Sequence, residues 1–235
     1  MTRFEANACG GLRIELSGAS VVLRGSGALW LESERTLVVA DLHFEKGSSY
    51  AARHGQMLPP YDTRETLDRL DREITDLTPT CLIFLGDSFH DGDGESRLAA
   101  DDAERLRGLA RGRDLVWAVG NHDEDGPKGL PGQVIDEASI LGLVLRHEPQ
   151  GGLQPGEVAG HLHPAARVSS GRGSVRRRCF VTDGSRLILP AFGAYTGGLN
   201  VLDRAFSGLF GGPLLAAALG KQKVHAIGPR SLRPD

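Results

Sequence analysis

Thr36-Leu37-Val38-Val39-Ala40-Asp41-Leu42-His43 runs as five apolar or β-branched residues and then turns abruptly polar. A continuous apolar run of this length is the pattern of a strand buried on both faces, as in a parallel or mixed sheet covered on each side. Four more stretches repeat the grammar. Cys81 to Leu85 runs into Gly86-Asp87-Ser88-Phe89-His90-Asp91, Leu115 to Val119 into Gly120-Asn121-His122-Asp123, Leu141 to Leu145 into Arg146-His147, and Glu157 to Ala159 into Gly160-His161-Leu162-His163. Helical patterns separate the first of these strands. Asp62 and Glu65 form an N-cap and N3 pair ahead of Leu67, Leu70, Ile74 and Leu77, and Ser96 to Leu109 repeats the helical spacing. The βαβαβ alternation predicts an α/β core.

Outward from this centre the periodicity changes. Leu12 to Leu16, Ser20 to Arg24 and Ala28 to Leu31, separated by Gly/Ser turns, predict an antiparallel meander ahead of the first buried strand. Beyond Leu141 strands dominate, including Cys179 to Thr182 and Leu187 to Leu189 joined by a turn at Asp183-Gly184-Ser185. The sheets are therefore mixed, not wound in a simple Rossmann order. Gly47 to Pro60 reads as a helix-poor connection that could lie over the strand ends or pack beside them, and residues 232–235 as a fraying tail. No linker divides the 235 residues, so one domain is expected over 1–235.

Composition narrows the class. Apolar residues make up 40% and charged residues 24%, which suits a folded globular chain and not a disordered one. No apolar run approaches the roughly 18 residues of a membrane span, so a cytoplasmic protein is expected. The three cysteines, Cys9, Cys81 and Cys179, are odd in number and far apart, and read as buried thiols in a reducing compartment. A net charge of -3 argues against a protein that holds nucleic acid mainly by a large positive field, while leaving room for a local basic patch. Arg167, Arg172, Arg176, Arg177 and Arg178 supply such a candidate that could meet a phosphate backbone, with Arg176, Arg177 and Arg178 as the substrate-binding residues; a solvated hairpin is an alternative of at least equal weight.

Each strand-end motif has an ordinary reading: Asp41 as a helix cap, Gly86-Asp87 as a turn, Gly120 to Asp123 as an Asx-turn, His147 as a core or surface histidine. Their conjunction is what points to chemistry. Ligand sites of open α/β sheets lie at the carboxyl ends of the strands, and six of the eight histidines fall there. Asp41, His43, Asp87, Asn121, His147, His161 and His163 offer oxygen or imidazole nitrogen and no thiolate, a donor set for Mn, Fe, Zn, Co or Ni. These are too many ligands for one ion and suit two that share a carboxylate. Two such cations about 3.5 to 4 Å apart would hold a bridging hydroxide and neutralise a phosphate.

In this order the motifs D-x-H, G-D-x-x, G-N-H-D, a later His and G-H-x-H resemble those of the calcineurin-like metallophosphoesterase superfamily, over roughly Thr36 to His163. The resemblance implies a four-layer α/β/β/α sandwich of two mixed sheets. It implies two divalent metal ions, Mn first among them: Asp41, His43, Asp87 and His163 around one, and Asp87, Asn121, His147 and His161 around the other. His122 would be the catalytic histidine that protonates the leaving oxygen, with Asp123 to orient it. The strings Asp41 to Gly47, Leu58 to Thr63, Gly86 to Asp91, Gly160 to Pro164 and Leu189 to Gly193 are similar to the ligase-associated DNA damage response endonuclease branch. That likeness implies a DNA endonuclease of DNA repair, acting beside a DNA ligase, an Lhr-type helicase and an exonuclease. His90 is similar to a histidine that positions the phosphate in a double-strand-break repair nuclease; a structural contact to Asp91 or the following helix is its other reading. A hydrolase of cyclic nucleotides or dinucleoside polyphosphates, and a non-catalytic scaffold, are the competing functions.

Overall fold

Thr36–Ala40, Cys81–Leu85, Asp114–Ala118 and Gln133–Ile135 lie side by side in parallel, with Leu37 opposite Leu82 and Leu82 opposite Leu115. The computed structural model describes residues 4–55, 58, 59, 61–170 and 173–235. Pro60 and Arg172 therefore lie outside the described residues. The meander Glu5–Ala6, Leu12–Leu16, Ala19–Leu23 and Leu29–Leu31 adds antiparallel strands on the Thr36–Ala40 side and completes an eight-stranded sheet. Every residue of Thr36–Ala40 is buried because both faces of the strand are covered. Leu37 and Val39 meet Leu67 and Leu70 of the helix Asp62–Leu77, together with Leu106 of Ala100–Gly108. Val38 and Ala40 point the other way, against Leu143, Leu145, Val158 and Phe180 of a second sheet. Strand alternation thus splits one apolar run between two cores.

The second sheet is mixed. Leu143–Arg146, Glu157–Ala159 and Leu187–Ile188 run parallel, while Glu137–Ile140 and the long hairpin Pro164–Ser170 and Gly173–Thr182 pair antiparallel. The layers are therefore helices, sheet and sheet, as an α/β sandwich of two mixed sheets requires. Where the fourth layer would carry helices, the described residues after Gly108 have no α-helix, only the short 3-10 turns Arg204–Phe206 and Pro229–Ser231. Val201, Phe210 and Leu214 from irregular chain cover Ala166, Cys179, Val181 and Ala216 instead.

Several local expectations change. Lys46–His54 is a helix, not a helix-poor connection, and Asp62 lies inside the first turn of its own helix, where its carboxylate accepts the Gly47 N–H at 2.9 Å. The pattern of Ser96 to Leu109 is two helices, Gly94–Arg97 and Ala100–Gly108, because Leu98 and Ala99 are extended. Leu232–Arg233, expected to fray, pairs with Val168 and Arg167. Of the three thiols only Cys179 is fully buried; Cys9 is exposed and Cys81 half-buried. Gln133–Ile135 and Glu137–Ile140 carry no apolar run to announce them, because they are half-exposed edge strands.

Candidate metal centre

The loops that leave the buried strands converge at one edge of the sandwich, where the two sheets meet. Ten non-glycine residues among those described have a positive φ, and five of them are Asp41, His43, Asp87, His161 and His163. Left-handed backbone disfavours most side chains and concentrates at functional loops. Here it turns the chain sharply enough that residues one to four positions past a strand point back across its end. The glycines of the motifs make the crowding possible. A Cβ on Gly86 would stand 2.3 Å from the His147 ring, and one on Gly160 would stand 2.6 Å from the Asp41 carboxylate.

Two clusters result. His163 Nε2 lies 3.2 Å from His43 Nε2 and 3.3 Å from Asp41 Oδ1. His147 Nε2 lies 3.2 Å from His161 Nδ1, 3.3 Å from Asp87 Oδ1 and 3.0 Å from Asn121 Oδ1. Asp87 stands between them, with its other oxygen 3.7 Å from His43 Nε2. Both carboxylates are buried, at 0% exposed for Asp41 and 2% for Asp87. Among the described residues Asp41, His43 and His163, and separately Asp87, His147 and His161, can each offer one donor atom to a common ion.

The donor set fits divalent cations. His147 Nδ1–H can donate to the Leu85 carbonyl at 3.2 Å, which directs the Nε2 lone pair toward two oxygens that are themselves acceptors. Lone pairs facing one another in a buried site are reconciled by a cation, and a ligand histidine anchored on a carbonyl through its second nitrogen is the usual arrangement. Separations of 3.0 to 3.3 Å also match two atoms that each lie about 2.1 Å from one ion. Burial, followed by the neighbouring His163, His122 and His90, holds His43 down to about 2, so its imidazole is uncharged at neutral pH. His161 is also lowered, by burial first and then by His147.

His122 sits at the mouth, with its side chain 39% exposed and its Nε2 3.9 Å from Asp87 Oδ2. Its Nδ1 donates to the His90 carbonyl at 2.8 Å. Asp123 does not orient it. That carboxylate accepts N–H groups from Ser88 at 2.8 Å, Phe89 at 3.1 Å and Gly120 at 3.2 Å, stapling two motif loops together. Burial raises the Asp123 carboxyl to about 6 against the pull of those donors. His90 packs between His122, at a ring-centre distance of 5.3 Å, and Tyr50, at 5.6 Å. Its Nδ1 is 3.4 Å from His43 Nδ1. Phe44 and Phe89 are core wedges, 5.9 Å apart between ring centres.

The arginine run does not form one surface. Arg176 is exposed and bonds Asp235 and the Gly198 carbonyl. Arg177 points to the opposite face of its strand, as alternation demands, beside Ala166 and Ala218. Arg178 turns inward and donates to the Ala191 carbonyl at 2.6 Å. What the sequence did not announce is the helix Lys46–His54, which brings Lys46 and Tyr50 to the same edge. The Lys46 ammonium is lowered by burial and lies 5.8 Å over the Tyr50 ring.

Two converging sets of Asp and His at the carboxyl ends of strands in a two-sheet sandwich define a metal-dependent phosphoester hydrolase. Residues 34–184 match the calcineurin-like phosphoesterase family, and the chain belongs to it. Among solved structures it is similar to the nuclease MPE of Pseudomonas putida, with 32% identity and a TM-score of 0.70 over 92% of this chain and 100% of that one. Yfce, a phosphoesterase from E. coli, matches at 16% identity and a TM-score of 0.39 over 82% of this chain and 98% of that one, a likeness too slight to argue from. None of the curated proteins compared with the chain matches it.

Proposed function

We propose that this chain is a two-metal phosphodiesterase, Mn-dependent, that cuts DNA strands internally and serves DNA repair. The observation that carries the two-metal reading is the placing of Asp87 between the two donor clusters, 3.7 Å from His43 on one side and 3.3 Å from His147 on the other. The nuclease reading is supported by the likeness to Pseudomonas putida MPE, itself a nuclease, over nearly the full length of both chains. Asp41, His43 and His163 would hold one ion, and Asn121, His147 and His161 the other, with Asp87 common to both. When bound, two such ions supply a nucleophile at neutral pH and neutralise charge on the phosphoryl oxygens.

The chain's own groups complete the chemistry. With Nδ1–H held by the His90 carbonyl, His122 turns Nε2 toward the donor clusters, 3.9 Å from Asp87 Oδ2, where as a general acid it would pass a proton to the departing oxygen. The His90 ring stacks on that of His122 at 27° and braces its plane, with Tyr50 tilted against His90. Removal of metal, followed by separate resupply of Mn, Zn, Ni, Co and Mg, tests the reading on a diester, a monoester and circular single-stranded and duplex DNA. Mn-dependent linearisation of a circle is expected. Hydrolysis of monoesters alone, or of small diesters with no DNA cut, overturns it.

A further inference from the structure

A second cluster of cations lies on the flank of the centre. The segment Ala191 to Gly193 is held on one side by the strand end at the site: Phe192 N–H donates to the Ala40 carbonyl at 2.8 Å and Gly193 N–H to the Asp41 carbonyl at 3.1 Å. On its other side two guanidiniums take its carbonyls, Arg69 that of Phe192 at 2.5 Å and Arg178 that of Ala191 at 2.6 Å. Beyond them a cavity of about 340 Å³ opens, lined by Arg69, Arg72 and Arg178 with Ser26, Glu73 and Asp76. Glu73 is already engaged, and Asp76 is mostly exposed to solvent. Arg24 bonds Glu73 at 2.7 Å, with both side chains buried, and reaches Asp76 at 3.4 Å. Three guanidiniums therefore face the cavity with donors to spare, and among the described residues Glu65, 3.3 Å from Arg69, is the one carboxylate bonded to any of the three.

Guanidiniums crowd together where an oxyanion is to be bound by forked hydrogen bonds, and three like charges around one cavity leave it short of one. Burial lowers Arg69, and burial together with Arg69 lowers Arg178 to about 10; both stay charged at neutral pH and repel each other. We propose that the cavity between Arg69, Arg72 and Arg178 holds a backbone phosphate of the strand being cut, some nucleotides away from the scissile bond. The proposal rests on the nuclease reading above and adds to it a place where strand length is felt. The segment Ala191 to Gly193 is the wall between the two sites, and a strand leaving the metal centre on this side would cross it.

The test uses full-length, metal-loaded protein carrying Arg72→Gln or Arg72→Glu. Arg72 is exposed on the helix Asp62–Leu77, and its side chain has no hydrogen bond or ion pair among the described residues. Single-stranded oligonucleotides from two to about twenty nucleotides are compared with a small chromogenic diester. For the long strands kcat/KM should fall roughly threefold to tenfold relative to the small diester in Arg72→Gln, and further in Arg72→Glu. The log-log salt slope of binding should flatten by up to ~0.7, the share of one single-strand phosphate contact. For a dinucleotide, too short to span both sites, variant and wild type should agree. Equal losses at every length, or no loss at any, overturn the cavity site. Inorganic phosphate that raises the melting temperature of the wild type but not of Arg72→Gln, with DNA cleavage untouched, reassigns the cavity to free phosphate and overturns the backbone role. A wild type that hydrolyses the small diester and cuts no oligonucleotide refutes the nuclease reading itself, which the variants do not address.

Discussion

The loops at the strand ends and the paired strands Pro164–Ser170 and Gly173–Thr182 both carry charged side chains, yet these are placed by different rules. In the loops, Asp41, His43, Asp87, His161 and His163 sit one to four residues beyond a strand buried on both faces. The strand fixes where the loop starts, and a left-handed turn fixes where its side chain points. In the hairpin, Arg176, Arg177 and Arg178 are placed by register, so neighbours in sequence part company across the sheet. Proximity in sequence therefore means convergence at a strand end and divergence along a strand.

The first half of that comparison predicts severe losses. Asp87→Asn keeps the shape but removes the charge common to both donor clusters, so hydrolysis should fall below detection and bound metal should drop from two equivalents. The apolar strand beneath is packed separately, so circular dichroism should be unchanged. Two equivalents of metal still bound would break the bridging assignment. His122→Ala should keep both metals and lose roughly 10²-fold or more in turnover, the scale of a general acid. The loss should shrink for a nitrophenyl leaving group, which needs little protonation; an equal loss across leaving groups would leave His122 an electrostatic role only. Gly86→Ala sharpens the geometric point. Its φ of +71° and the 2.3 Å approach to His147 mean the new Cβ must displace a ligand ring. Metal affinity should weaken and stability fall by roughly 1–3 kcal/mol, read by calorimetry with and without metal.

Much of this molecule was legible because buried strands leave a strong mark. Thr36–Ala40, Cys81–Leu85 and Glu157–Ala159 have the bounds their apolar runs imply, and the polar residues that follow them meet in space. The helix Lys46–His54 was not legible. Lys-Gly-Ser-Ser-Tyr-Ala-Ala-Arg-His has little apolar periodicity and two poor helix formers in its first turn, and tertiary bonds such as Gly47 N–H to Asp62 hold it. The role of Asp123 was hidden for a related reason. Its partners, the Ser88 and Phe89 N–H groups, are contributed by a motif more than thirty residues away. The arginine run misleads because sequence shows the charges and not the alternation that separates them.

That separation yields the smallest and most discriminating expectation. Arg178 is largely buried and gives the Ala191 carbonyl a partner at 2.6 Å, with the Phe192 and Gly193 carbonyls at 3.5 and 3.3 Å. Arg178→Gln withdraws that donor from a segment that also braces Asp41, so it should cost about 1–3 kcal/mol, the range for a buried polar group left unpaired. Arg177 is exposed on the opposite face, and among the described residues its one side-chain hydrogen bond returns to the carbonyl of Arg176 next to it. Arg177→Gln removes nothing that a neighbour depends on, so it should stay within about 0.5 kcal/mol of the wild type. Urea unfolding of the two variants, one residue apart and identical in chemistry, measures the difference directly. If they proved equally costly, the register that puts Arg177 and Arg178 on opposite faces would be wrong, and with it the separation of the flank cavity from the outer face of the second sheet. A loss for Arg178→Gln alone fixes the register and leaves the cavity to be tested through Arg72.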